Sequence, residues 1–139
     1  MYHAIVRSRV RRLWAVVGNG DFGPAVGMAA PDVRFRFFGT TPISAEFVGA
    51  NQFAKWFEAL FLLFPNLRMK LTDVSVAGPP WNTTVVVKLD ISATLVDGSS
   101  YSNTAIQWLK LRWGRMVSDE VLEDTEALAA ACRIQQSTR

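Results

Sequence analysis

The chain has 139 residues, half of them hydrophobic and only 19% charged, with nine Phe and five Trp. That composition excludes a disordered chain and fits one domain long enough to bury a sizeable core. Apolar runs such as residues 59–64 are far too short to span a bilayer, and arginines at positions 7, 9, 11 and 12 interrupt any leader-like segment. The single cysteine, Cys132, allows no internal disulfide and leaves no Cys/His metal spacing, so a cytoplasmic protein with no metal and no membrane partner is expected. The net charge is +3, but the basic residues are not gathered into an aromatic-interleaved patch, and nucleic acid is not an expected partner.

In chain order, Val6, Val10, Leu13, Trp14 and Val17 form one apolar stripe, which predicts a first helix ending at Gly18-Asn19-Gly20. Asp21 is placed to cap a short second helix through about residue 29, stopped by Pro31. Val33, Phe35 and Phe37 alternate with Arg34 and Arg36, the pattern of a strand, and a Gly/Thr/Pro loop follows. Phe53, Trp56, Phe57, Leu60, Phe61 and Phe64 then recur at helical spacing over residues 50–64. A helix apolar around that much of its circumference needs more than one surface to cover it. Trp56, Phe57 and Phe61 are therefore expected to wall an apolar cavity with Phe35 and Phe37.

Pro65-Asn66 ends this helix, residues 67–77 read as a strand, and Gly78-Pro79-Pro80 turns the chain into two long alternating runs between residues 85 and 111. Asp97-Gly98 between β-branched runs signals a two-residue hairpin turn. That turn places Lys88 opposite Gln107, Asp90 opposite Ala105, Ser92 opposite Asn103 and Thr94 opposite Tyr101 on one polar face. Val87 opposite Trp108 and Leu89 opposite Ile106 make the other face apolar. Arg112-Trp113-Gly114 suits a three-residue hairpin into a last strand, residues 115–123, with Gln107 opposite Asp119 and Leu109 opposite Val117. A two-residue turn there would instead put Glu120 opposite Gln107. Asp124 or Thr125 caps a final helix through about residue 132, and residues 135–139 are expected to fray, leaving one domain over residues 1–134.

Three helices, one strand among them, then a long antiparallel meander and a short helix make an α+β fold. A curved sheet wrapped around the N-terminal helices forms a cone with a pocket in its mouth. The segments GNGDFG, APDVRFRFFG and FPNLRMKLTDV, with W-G-R and L-E-D-T near the end, resemble in order and spacing the nuclear transport factor 2-like superfamily. Within it, the SnoaL-like polyketide cyclases, limonene epoxide hydrolases and ketosteroid isomerases are the similar branch. The resemblance covers nearly all of the chain and implies the cone-shaped, cystatin-like α+β roll. The fold itself carries many unrelated functions.

What the resemblance implies about residues is uneven. Phe37 stands where the isomerases place a general-base aspartate, Leu13 near their oxyanion tyrosine and Gln107 near their aspartic acid, which speaks against steroid isomerisation. Lys88-Leu89-Asp90 followed by Gly98-Ser99-Ser100-Tyr101 resembles the Arg-x-Asp and Gly-x-Ser-Tyr of the epoxide hydrolases, whose second carboxylate falls here on Val121.

Asp90 is the expected general base, with Asp119 as a displaced second carboxylate, Lys88 or Tyr101 as donor to a substrate oxygen, and Gln107 and Asn103 as orienting groups. These residues point to a cofactor-free enzyme doing hydration, epoxide opening, cyclisation or isomerisation on an apolar, ring-sized or aromatic substrate. The alternative is a non-catalytic ligand-binding or assembly domain. Everything turns on which way the polar face looks, because Lys, Asp, Ser and Thr alternating with Val, Leu and Ile also describe a solvated outer face. If the polar face lines the cavity, Val87, Leu89, Ile106 and Trp108 form an outer apolar patch, and a homodimer through that patch is expected.

Overall fold

The structure, a computed structural model, describes residues 1–137. Helices α1 (Tyr2–Val17), α2 (Gly23–Met28) and α3 (Ala50–Leu63) pack into one six-stranded curved sheet, and α4 (Thr125–Ser137) closes the chain. The strands are β1 (Ala29–Phe37), β2 (Ala45–Val48), β3 (Arg68–Ala77), β4 (Thr83–Thr94), β5 (Ser100–Arg112) and β6 (Arg115–Glu123), in the spatial order β2-β1-β6-β5-β4-β3. Neighbours run antiparallel except β1 and β6, which are parallel. Register shifts near Thr72 in β3 and Val117 in β6 insert an extra residue, and such bulges bend a sheet and deepen its twist.

The α1 stripe is buried as its spacing requires: Val6, Val10, Trp14 and Val17 face the sheet, while Arg9, Arg11 and Arg12 are exposed. Two local readings are corrected. Asp21 does not cap α2, whose preceding residue is Phe22, with Pro24 in the first turn. Pro31 does not separate helix from strand but lies inside β1, in the stretch between Ala29 and Arg34 where pairing with β6 is irregular and no ladder donor is required. Part of the expected Gly/Thr/Pro loop is the short edge strand β2.

The C-terminal helix also runs further than its sequence suggested. Gln135, expected to fray, is buried because its Nε2 donates to the Leu63 carbonyl (2.8 Å) while its Oε1 accepts from the Val96 N–H (2.7 Å). One side chain thus ties α4 to the end of α3 and to the β4–β5 loop, and the order extends to Ser137. Residues 138 and 139, also expected to fray, lie outside the described residues.

Candidate functional site

The two hairpin turns decide which side chains enter the cone, and they are exchanged relative to the sequence reading. Between β4 and β5 the Leu95 N–H donates to the Ser99 carbonyl (2.8 Å) and the Gly98 N–H to the Leu95 carbonyl (2.9 Å), with Gly98 at φ 86°. This is a three-residue loop over residues 96–98, a type I turn closed by a left-handed glycine. Between β5 and β6, Arg112 pairs with Arg115, leaving Trp113 (φ 51°) and Gly114 (φ 78°) as a two-residue turn with both residues left-handed.

The first correction moves the β5 register by one residue, so Val87 faces Gln107, Leu89 faces Ala105 and Lys88 faces Ile106. A one-residue slip flips every side chain of one strand relative to its partner. The inner face is consequently assembled from both faces of the expected hairpin: Val85, Val87, Leu89 and Ile91 of β4 with Tyr101, Ala105, Gln107 and Leu109 of β5. Val87 and Leu89 are therefore core, not members of an outer patch. Lys88 and Asp90 lie exposed on the outer face, Asp90 opposite Thr104 and Lys70, and they do not reach the interior. The expected lining of the cavity by Lys88 and Asp90 is overturned by this geometry.

In β6 the bulge at Val117 lets both Met116 and Asp119 point inward, and Asp119 pairs with Leu109 while Val121 stands opposite Gln107. Gln107 and Asp119 are thus diagonal neighbours rather than directly opposed. They still meet: Gln107 Nε2 donates to Asp119 Oδ2 at 3.1 Å, with both residues buried.

Beside this pair lies a cavity of about 40 Å³ walled by Trp14, Phe35, Trp56, Phe57, Leu60, Met69, Leu89 and Val121 among others. Trp56 is pinned by its indole N–H to the Ile43 carbonyl (2.8 Å) and tilts against Phe35 and Phe37 at 4.6 and 5.8 Å. Phe61 stacks with Phe22 and Phe57 behind this wall. A second void of about 30 Å³, lined by Phe37, Tyr101, Leu128 and Glu123, shares Leu60, Met69, Ile91 and Glu123 with the first. As they stand, these voids have room for no more than a few waters.

Among the described residues, three buried polar atoms of residues lining the larger void have no hydrogen-bond partner: Trp14 Nε1, Gln107 Oε1 and Asp119 Oδ1. A buried polar group left unpaired costs about 1–3 kcal/mol, so three around one void mark a place where water or a ligand supplies the missing bonds. Asp119 is wholly buried, and that desolvation pushes its carboxyl up to about 8, against the Gln107 hydrogen bond, which favours the anion; the nearby Glu120 charge raises it further.

Sequence reasoning missed Glu123 as a site residue. It lines both voids, accepts from Tyr101 Oη at 3.5 Å and Asn103 Nδ2 at 3.4 Å, and is raised to about 7, mainly by burial. Asn103 Nδ2 also donates to Tyr101 Oη at 2.7 Å, and burial raises the Tyr101 phenol. The signal for Glu123 was present in its spacing: residues 119, 121 and 123 share one face of β6. Asp119 and Glu123 stand four residues apart on that strand, about 13 Å between Cα atoms, too far to share a proton. Among the described residues no group of three or more His, Cys, Asp or Glu side chains is arranged to hold a metal ion, and no helix is long and apolar enough to cross a membrane.

Comparison with known proteins agrees with this architecture. A protein assigned as a SnoaL-like polyketide cyclase from Jannaschia sp. CCS1 superposes with a TM-score of 0.76 at 19% identity, over 96% of this chain and 94% of its own. Bal32a, from a soil-derived mobile gene cassette, gives 0.78 at 16% identity over 91% and 95%. TerC, co-crystallised with polyporic acid, gives 0.76 at 15% over 92% and 97%. Likeness at such identities establishes the fold alone. No curated protein matches the sequence. The family model of the SnoaL-like domain matches residues 10–118, and the chain accordingly belongs to the SnoaL-like family, within the nuclear transport factor 2-like superfamily.

Proposed function

We propose that the cone interior binds a small, apolar, ring-sized molecule and that Asp119, oriented by Gln107, is its acid–base group. The three unpartnered polar atoms, all on residues that line one largely apolar void, carry this reading. A carboxyl raised to about 8 is mostly protonated at pH 7, so Asp119 donates a proton or a hydrogen bond to a ligand carbonyl or epoxide oxygen, and becomes a base only as the pH passes about 8. Hydration, epoxide opening, cyclisation and isomerisation can all use that step. That TerC, a protein of the same fold, was co-crystallised with polyporic acid agrees with an organic ligand.

Binding of cyclic ketones and epoxides is expected to change tryptophan fluorescence, because Trp14 and Trp56 wall the void. Asp119→Asn keeps the shape and the bond from Gln107 and loses the proton, so binding should survive and turnover should fall by two to four orders of magnitude, about the contribution of one positioned acid or base. No fluorescence response across a broad panel would remove the ligand site. Full turnover in Asp119→Asn would remove the assignment.

The second reading, a binding domain without chemistry, is favoured by Phe37 and by the roughly 13 Å between Asp119 and Glu123, which leaves no second carboxylate beside the first. On this reading wild type and Asp119→Asn both bind and neither converts.

We further propose a homodimer through the outer sheet face, with membership revised from the sequence expectation. Val86 stands opposite Trp108 and Ile106 opposite Leu122; Ile106, Trp108 and Leu122 are 37%, 46% and 48% exposed. An apolar cluster on adjoining strands needs a cover, and a second copy of the same face supplies one. Trp108→Glu should give monomers or insoluble protein. Light scattering that finds the wild type monomeric at micromolar concentration would dispose of the dimer.

A further inference from the structure

Met69 is a wall of three separate voids. It lines the cavity beside Asp119, the cavity beside Tyr101, and an open cleft of about 450 Å³ on the surface between α1 and β3. Trp14 is shared between that cleft and the Asp119 cavity. Methionine is unbranched, with a flexible thioether side chain that changes rotamer at little cost, and Met69 is only partly buried. Among the described residues it is the one that lines the outer cleft and both interior voids, which in their present form have room only for water.

The cleft and the interior differ in charge. Arg11 of α1 and Arg68 and Lys70 of β3 line the cleft, with no acidic side chain among its lining residues. Lys70, opposite Asp90 across the β3–β4 ladder, adds a third positive charge to the rim beside Arg11 and Arg68. One arm of Arg68 is used locally, its Nη1 donating to the Leu67 carbonyl (3.0 Å). The two interior voids, by contrast, are lined by carboxyl groups and by no Lys, Arg or His. A ligand anion has no counter-charge inside, and its charged end belongs at the rim.

We propose that the α1–β3 cleft is the entrance and outer subsite of the interior site, with Met69 as its movable wall. The ligand class is then a ring-bearing carboxylic acid, its ring passing Met69 while its carboxylate rests on Arg11 and Arg68. This rests on the reading of the interior as a ligand site, and the test separates the two.

The test titrates 4-phenylbutanoate and its methyl ester against the intact protein at low salt by calorimetry, using wild type, the double variant Arg11→Gln/Arg68→Gln, and Met69→Ala. Two exposed ion pairs predict that the acid binds roughly three- to tenfold tighter than the ester. That advantage should vanish in about 0.5 M salt, where the screening length is only a few ångströms. It should also vanish in the double variant, with ester affinity unchanged, and Met69→Ala should speed association of both probes in stopped-flow fluorescence. Equal affinity of acid and ester overturns the outer subsite and leaves the interior site standing. A preference that persists in the double variant overturns the arginine assignment, and association rates unmoved by Met69→Ala overturn the entrance. If neither probe binds, the subsite and the interior reading fall together.

Discussion

Stability that declines from pH 5 to pH 9, and an Asp119→Asn variant that loses most of this decline, are expected from the burial of Asp119. Its folded carboxyl is raised to about 8 from an ordinary 3.8. Below pH 3.8 both folded and unfolded states hold the proton, and the group makes no difference between them. Between 3.8 and about 8 the unfolded chain ionises while the folded one does not, so each pH unit favours unfolding by about 1.4 kcal/mol, and above about 8 the loss levels off. From pH 5 to 9 Asp119 accounts for about 4 kcal/mol, an upper figure since water reaching the cavity would lessen it. Glu123, raised to about 7 mainly by burial, acts in the same direction over a lower and narrower window, and Glu123→Gln should remove that smaller part. Urea unfolding at pH 5, 7 and 9 checks both. A wild-type protein equally stable at pH 5 and 9 would mean that Asp119 is ionised in the fold, and its role as a neutral donor would fall with that result.

How much of this site was readable from the chain follows from particular turns. The helical stripe of α1, the aromatic face of α3 and the meander were legible because a buried face imposes its period on the sequence whatever the neighbouring strands do. The partners across the sheet were not, because they depend on turn geometry. Asp97-Gly98 signals a two-residue turn, yet Leu95 is buried and continues the inward set of β4, Tyr101 is buried at the start of β5, and only a three-residue loop puts both on the same side. Trp113, a bulky residue at φ 51°, occupies a turn position that sequence rules give to Asn, Asp or Gly. The expected polar face was consequently split: Lys88 and Asp90 went out, and Gln107, Asn103 and Tyr101 went in or to the margin. Ile106 and Trp108 misled for a physical reason. Both are apolar, but Ala105, Leu109 and Leu111 on the other face are the ones that match the inward residues of β4. Asp119 and Gln107 come together despite the wrong partner pairing because the Val117 bulge adds a further residue of shift and returns Asp119 to the inner face.

Gly18→Ala is expected to cost about 3 kcal/mol, the upper end of what overpacking usually costs, although a glycine to alanine change at this backbone conformation would ordinarily stabilise. Gly18 has φ −61° and ψ −20°, which any residue adopts, and the left-handed glycine of the Gly18-Asn19-Gly20 stop is Gly20 (φ 102°), so backbone conformation does not explain Gly18. Its reason is closeness. The Met69 N–H donates to the Gly18 carbonyl at 3.0 Å, docking the end of α1 on the edge of β3, and an added Cβ would overlap the Met69 carbonyl oxygen and come within 2.8 Å of the Trp14 carbonyl. Neither obstacle is a side-chain tip that swings away; both are backbone. To make room, α1 must lift from β3, and the lift moves Trp14 and Met69, the two residues shared by the surface cleft and the Asp119 cavity. The same change therefore perturbs stability and access together. Gly27→Ala is the control, since nothing lies within 4 Å of its added Cβ in α2, and it should be neutral or stabilising by up to about 1 kcal/mol. Urea midpoints for the two variants, read with 4-phenylbutanoate affinity, separate the cases. A Gly18→Ala protein as stable as wild type would mean that α1 does not dock on β3 through this backbone contact, and Trp14 and Met69 would then have no fixed partition to form.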